Sequence, residues 1–291
     1  MNPFDKVIVA SNEDPAYIDF WPIVSWCYRA MFPWASVELA LLSNRTPGDL
    51  LLSRLAEFGV VHVFPIVDGI AQKHQSKMLM HAAPQLSPDT VCYVDGIDYI
   101  PINRDWILGF VNQRESGRFL LVGSEVYKGQ KQLPPGIMPS SHMTAEGWMF
   151  QELTNPDMLP WEEWLLDIPD IRSAKFMEEE AIAKIRNSRD VAVDFQEIPR
   201  NLNVARDTID RATWSAIDRE RLGRGEFKRI HSPRPYRDYA AFYAIVEEWV
   251  IEHYNAETPP PNTILSREFD LGPPINVAPP AQRKRGRRSR R

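Results

Sequence analysis

The sequence predicts an α/β protein with a mostly parallel central sheet flanked by helices. Three observations carry that prediction. Over the first hundred residues, short β-branched runs alternate with segments at helical spacing. The resulting order β-α-β-α-β-α-β is that of a parallel sheet wound by right-handed crossovers. The run Val91-Cys92-Tyr93-Val94 is apolar on both faces, which suits the middle of a covered sheet. Asp95 and Asp98 arrive where that run ends, with Gly96 between them. Open α/β sheets bind ligands at that end of their strands.

The elements follow in order. Residues 6–10 form a first strand, and the polar loop 11–15 lies at its carboxyl end. Asp19 is placed to cap a helix that tolerates Pro22 in its first turn. Phe20, Val24, Cys27, Tyr28 and Met31 then recur at helical spacing, and Pro33 stops the helix. Residues 37–42 are a second strand. Residues 50–58 are a helix closed by Gly59. Residues 60–64 are a third strand, and 72–83 a helix leading to the central strand. A second half begins after Trp106. It holds a strand at 119–127, a Pro/Gly-rich loop at 129–139 and a short helix or strand–helix element at 143–153. Helices are expected at 161–166 and 178–186, strands at 191–195 and 229–231, and a last amphipathic helix at 239–254.

The chain has 291 residues, of which 44% are hydrophobic and 25% charged, enough for a full core. No apolar run is long enough to span a bilayer, and the amino terminus lacks the basic and apolar regions of a signal peptide. The only cysteines, Cys27 and Cys92, fall in segments expected to be buried. They read as reduced core thiols, and the expected compartment is the cytoplasm. Residues 283–291 carry seven Lys/Arg and no acid, so subtracting them from the net −5 leaves −12 on residues 1–282. An acidic body argues against nucleic-acid binding across the whole chain. The stretch 258–291 is proline-rich and then basic, and it is expected to be disordered. Its charge suits nucleic acid, another polyanion, or a nuclear or virion address.

Two carboxylates at the end of a buried strand suit Mn²⁺ or Mg²⁺, with a ligand's phosphates completing the coordination. An Asp/Gly turn after a strand is the plainer reading. Lys73 and Lys77 share one helix face. Lys77 suits a phosphate, although a solvated face explains either lysine. His74 and His81 read as packing or surface residues, and His62 as a core histidine. Glu178-Glu179-Glu180 opens a helix, where acids suit the dipole without any function; one of them also suits a base or hydrogen-bond acceptor. In His231-Ser232-Pro233-Arg234-Pro235, an imidazole ends a short β-run and two prolines hold an arginine between them. A neutral imidazole suits a metal, and an arginine fork suits a diphosphate.

Taken in order, strand–Ser11-Asn12, Gln75-Ser76-Lys77, Asp95-Gly96-Ile97-Asp98-Tyr99-Ile100-Pro101, Met143-Thr144-Ala145-Glu146-Gly147, Glu178-Glu179 and His231-Ser232-Pro233-Arg234-Pro235 resemble a nucleotide-sugar glycosyltransferase of the single-sheet (GT-A-like) type with an acidic metal motif. The likeness is greatest to glycosyltransferase-like proteins of large DNA viruses and phages, and more distant to the glycogenin and galactosyltransferase family. It covers about residues 5–255. It implies a domain over 1–257, with a nucleotide-binding half (1–106) and an acceptor or sugar half (107–257), followed by the tail 258–291. It also implies a UDP-sugar donor, a glycan or other hydroxyl acceptor, and Mn²⁺ (or Mg²⁺). The implied metal ligands are Asp95, Asp98 and His231. Ser11, Asn12, Lys77, Asp95 and Arg234 would hold the nucleotide sugar. Glu146, Glu178 and Glu179 would serve the sugar and the acceptor. The chain departs from the pattern at one place: matched from Ile100-Pro101 backwards, the motif's second Asp is Asp98, but its first falls on Gly96, and Asp95 is one place early. A catalytically weak or inactive nucleotide- or glycan-binding protein of the same fold, docked to a polyanion by its tail, is the alternative. A nucleotidyltransferase is a third reading, weakened because 11–15 is acidic and lacks glycine.

Overall fold

The computed structural model describes residues 2–123, 141–173, 177–188, 191–199, 204–211, 214, 219–257 and 264–271. The first half runs β1 (Lys6–Asn12), α1 (Trp21–Met31), β2 (Ser36–Leu42), α2 (Leu50–Ala56), β3 (Val60–Phe64), α3 (Gln72–Ala82) and β4 (Val91–Gly96). It continues with β5 (Tyr99–Pro101), α4 (Arg104–Val111), β6 (Arg118–Val122), β7 (Met143–Glu146), α5 (Gly147–Thr154), α6 (Trp161–Asp167), α7 (Glu178–Ser188) and β8 (Asp194–Ile198). The last elements are α8 (Val204–Asp207), β9 (Thr208–Asp210), α9 (Arg219–Gly223), β10 (Arg229–His231), α10 (Ala240–Tyr254) and α11 (Leu265–Glu268).

Seven strands form one sheet in the order β3-β2-β1-β4-β7-β6-β8, and β5-β10-β9 form a second, smaller one. In the large sheet only β7 runs antiparallel to its neighbours, β4 and β6. Strand order reverses at β1, which lies between β2 and β4. A crevice opens at such a switch point because successive crossovers leave on opposite faces. The carboxyl ends of β1 and β4 therefore form the expected ligand edge.

Alternation along each strand divides the core in two. Val7, Val9 and Tyr93 face the layer of α1 and α10 with Tyr28 and Tyr243. Ile8, Cys92 and Val94 face α3, α5 and α7 with Leu79 and Phe150. Each fully buried large apolar side chain in these layers contributes about 1.5–3 kcal/mol. Gly59 is required by close approach: a Cβ there would lie 2.5 Å from the Val37 carbonyl oxygen and 2.8 Å from the Trp21 ring.

The mostly parallel sheet flanked by helices is as the sequence predicts, and β3 has the predicted bounds. Several elements differ. The 143–153 segment resolves into a strand followed by a helix. The late strand lies at Asp194–Ile198, not 191–195, because its ladder with β6 pairs Arg118 with Asp194 and Val122 with Ile198. Helix α4, whose first turn is capped by the Asn103 side chain accepting from the Trp106 amide, was not foreseen, nor was β9. Asp19 does not cap α1. Its carboxylate accepts hydrogen bonds from the Ser266 amide (2.7 Å) and hydroxyl (2.6 Å). The body therefore extends past residue 257: Leu265 is fully buried, and residues 264–271 dock beside Asp19. The basic run 283–291 lies outside the described residues. Both cysteines are buried thiols. No helix among the described residues is long and apolar enough to cross a membrane.

Candidate functional site

The smaller sheet assembles a polar cluster just beyond the end of β4. Strand β10 pairs antiparallel with β5, setting His231 opposite Tyr99, and parallel with β9, setting His231 beside Asp210. The Ser232 amide extends this ladder to the Asp98 carbonyl at 2.9 Å. These pairings bring residues more than a hundred positions apart into contact. His231 Nε2 lies 3.6 Å from Asp98 Oδ2, and His231 Nδ1 lies 3.0 Å from Asp210 Oδ2. Arg234 Nη1 is 3.8 Å from Asp98 Oδ2, and its guanidinium stands 4.7 Å above the Tyr17 ring. Arg211 reaches His231 Nε2 through Nη2. Nδ1 thus faces Asp210, and Nε2 lies between Arg211 and Asp98.

The cluster is reachable from solvent. The side chains of Asp98, His231 and Arg234 are 16%, 17% and 23% exposed. Partial burial pushes the Asp98 carboxyl up, but the contact with His231 and the charges of Arg234 and Arg211 outweigh it and hold it below its ordinary value. Asp98 is therefore ionised at neutral pH. Tyr17 follows the β1 loop, so that loop meets the cluster through Arg234.

Asp95 is placed differently. It is buried and turned toward α1, where Oδ2 accepts from the Tyr28 hydroxyl at 2.7 Å and the Tyr93 hydroxyl at 3.3 Å. Oδ1 accepts from the Gly96 amide at 2.8 Å. His142 Nδ1 stands 2.8 Å from the Tyr93 hydroxyl and 3.5 Å from Asp95 Oδ2, and its Nε2 lies 2.7 Å from Arg229 Nη1. The buried carboxylate thus faces a buried guanidinium across one imidazole. Gly96 has no room for the motif's missing carboxylate. A Cβ there would lie 2.8 Å from the Tyr99 ring. That ring is held in place, stacked on His231 at 4.8 Å with Arg229 4.4 Å over it.

The remaining expected residues fall into three places. Ser11 and Asn12 do end β1 beside the crevice, but both are buried. Ser11 Oγ donates to the Asn12 carbonyl (2.8 Å), and Asn12 Oδ1 accepts from the Asp14 amide (3.2 Å). Lys77 sits midway along α3 and pairs with Glu178 at the start of α7. Glu179 is beside them, its carboxyl pushed up to about 7 by burial and by the Glu178 charge. These helices cover the face opposite α1. Glu146 ends β7 opposite Val91, at the amino end of β4, and is held by Arg114 at 2.8 and 3.2 Å. The structure thus brings together Asp98, His231 and Arg234, groups Lys77 with Glu178 and Glu179, and sets Asp95 and Glu146 apart from both. Asp210, Arg211, Tyr17 and Tyr99 are members that sequence reasoning missed. The β-run Thr208-Ile209-Asp210 carried a faint signal, but only strand pairing makes it meaningful.

The donor set decides how well a divalent cation fits. Asp98 and His231 offer an oxygen and a nitrogen at a separation compatible with one ion, and Asp210 would orient the imidazole from behind. Two features oppose it. Nε2 already meets Arg211, and Asp95 is committed to two tyrosines. Among the described residues no group of three His, Cys, Asp or Glu side chains stands where it could hold a metal. The expected three-ligand site is not formed.

No family model and no curated protein matches the chain. Solved structures do. The galactosyltransferase LgtC in complex with donor and acceptor sugar analogs aligns at 11% identity and a TM-score of 0.43, covering 90% of this chain and 99% of that one. The glycosyltransferase GlyE of Streptococcus pneumoniae aligns at 11% identity and a TM-score of 0.44, covering 94% and 66%. A glucose-1-phosphate thymidylyltransferase-like protein of Bacillus anthracis aligns at 13% identity and a TM-score of 0.35, covering 67% and 86%.

Proposed function

We propose that the chain is a glycosyltransferase that moves a sugar from a nucleoside-diphosphate donor, in the first instance a UDP-sugar, to an acceptor hydroxyl. One observation carries the reading: Asp98, His231 and Arg234, matched separately to the nucleotide-sugar pattern, meet at the carboxyl edge of the sheet beside its switch point. In such a reaction the anomeric C–O bond to the β-phosphate breaks, and its electron pair leaves with the diphosphate. The acceptor oxygen bonds to the anomeric carbon and loses its proton to a carboxylate or water. Arg234 is placed to neutralise the leaving diphosphate, and Asp98, 3.8 Å from its Nη1, to hold that guanidinium in position. Glu179, which the sequence match assigns to the sugar side, stands with Lys77 and Glu178 between α3 and α7, its carboxyl pushed up by burial and by the Glu178 charge. No step is assigned to Mn²⁺ or Mg²⁺, because the donors do not close a site.

Incubating the full chain with a panel of nucleotide sugars should release nucleoside diphosphate. Arg234→Ala and Asp98→Asn should each lower that release, Arg234→Ala by about a hundredfold or more, the scale on which one charged group at a developing charge acts. Turnover unchanged in both variants would refute the assignment. The binding-protein alternative is favoured by one observation, the Tyr99 ring in the slot of the missing carboxylate. Nucleotide-sugar binding without release from any donor would select it.

A further inference from the structure

We infer that Arg211 and Arg234 supply in this cleft the positive charge that a bound divalent cation would otherwise bring, so that diphosphate capture does not require a metal. The inference rests on the reading of the cleft as a diphosphate site. Three observations lead to it. The imidazole nitrogen facing Asp98 already meets a guanidinium, Arg211, and the other nitrogen is taken by Asp210. The position of the absent carboxylate is filled by the Tyr99 ring, pinned between His231 and Arg229, so a side-chain shift at Gly96 cannot restore a ligand. Asp95 cannot replace it, because its charge is used internally by Tyr28, Tyr93 and His142.

What the cluster does present is two guanidinium groups from separate elements. Arg211 follows β9 and Arg234 follows β10; both are partly exposed, and they flank one carboxylate. A guanidinium fork matches two phosphoryl oxygens at once, keeps its charge at any working pH, and sheds water more readily than an ammonium. A pair set on two sides of Asp98 offers a diphosphate two forks, and its oxygens, charged on both phosphorus atoms, would take the place that Asp98 now holds beside them. Charges held by side chains also give capture a dependence on salt but none on chelators.

Equilibrium dialysis of the full chain against UDP, GDP, CDP and ADP, in EDTA and in Mn²⁺, tests this. At least one nucleotide should bind in EDTA, with an affinity that added Mn²⁺ changes by less than about threefold. Arg211→Ala should weaken binding by about tenfold or more, as loss of a charge-assisted hydrogen bond does, and Arg211→Lys should recover only part of it. Circular dichroism of the two variants guards against misfolding, and Lys at this half-exposed position keeps the charge. Binding seen only with Mn²⁺ and unaffected by Arg211→Ala would overturn the inference while leaving the proposed function standing. No binding of any nucleotide under either condition would overturn both.

Discussion

Two aspartates three positions apart have opposite environments. Asp98 is reachable and lies among cations, whereas Asp95 is buried and answers Arg229 through His142. Removing a buried carboxylate's charge leaves donors and a cation without their counterpart, at a cost of about 1–3 kcal/mol. Asp95→Asn should therefore lower the urea midpoint clearly, while Asp98→Asn should leave it near the parent and act on turnover of the donor. The reverse ranking would make Asp95 the site residue. At this scale the sequence was partly legible. Asp98, His231 and Arg234 sit in short motifs whose residue types announce their chemistry. Asp210 and Arg211 do not, since their meaning comes from lying beside His231 across a parallel ladder. Asp95 misled because an acid at a strand end looks the same whether it turns outward or inward.

At the level of elements, three adjacent strands are tied on one side by Glu38. Its carboxylate meets Lys6 of β1 at 2.8 Å and His62 of β3 at 2.7 Å. Burial pushes this carboxyl up, but the bonds from His62 and Lys6 outweigh it and bring it down to about 2. A folded-state value below the unfolded one means stability present above about pH 4.5 and lost as the pH falls toward 2. The shift corresponds to about 3 kcal/mol at most, since Lys6 and His62 are partly exposed. Urea unfolding at pH 7 and pH 3 should show a drop in stability that is smaller in Glu38→Gln; equal drops in the two proteins would remove Glu38 from the account. The first four strands were legible because each is a short, mostly apolar run and the helices between them carry apolar residues at helical spacing. The second half was less so. β8 is an edge strand with polar residues, β7 is four residues long, and α11 is placed by one buried aspartate from the other end of the chain.

For the molecule as a whole, the site spans both halves. Asp98 leaves the large sheet at β4, and its ion-pair partners His231 and Arg234 come from more than a hundred residues further on. Such distant contacts form late, because the loops between them must close first. In refolding from urea, emission from a variant that keeps only Trp21 should recover earlier than nucleotide capture, since Trp21 packs against Leu55 and Gly59 in the first half. Simultaneous recovery would mean that the small sheet forms with the large one.

The three-stranded ladder of β5, β9 and β10 therefore gives the nascent protein an order of events. A chain threaded out of the ribosome only as far as β8 possesses all seven strands of its main sheet but has no partner yet for Asp98. Ending the chain after β8 would remove both the ion-pair partners of Asp98 and α10, which covers one face of the main sheet; on the proposed function, such a chain would take up no nucleotide.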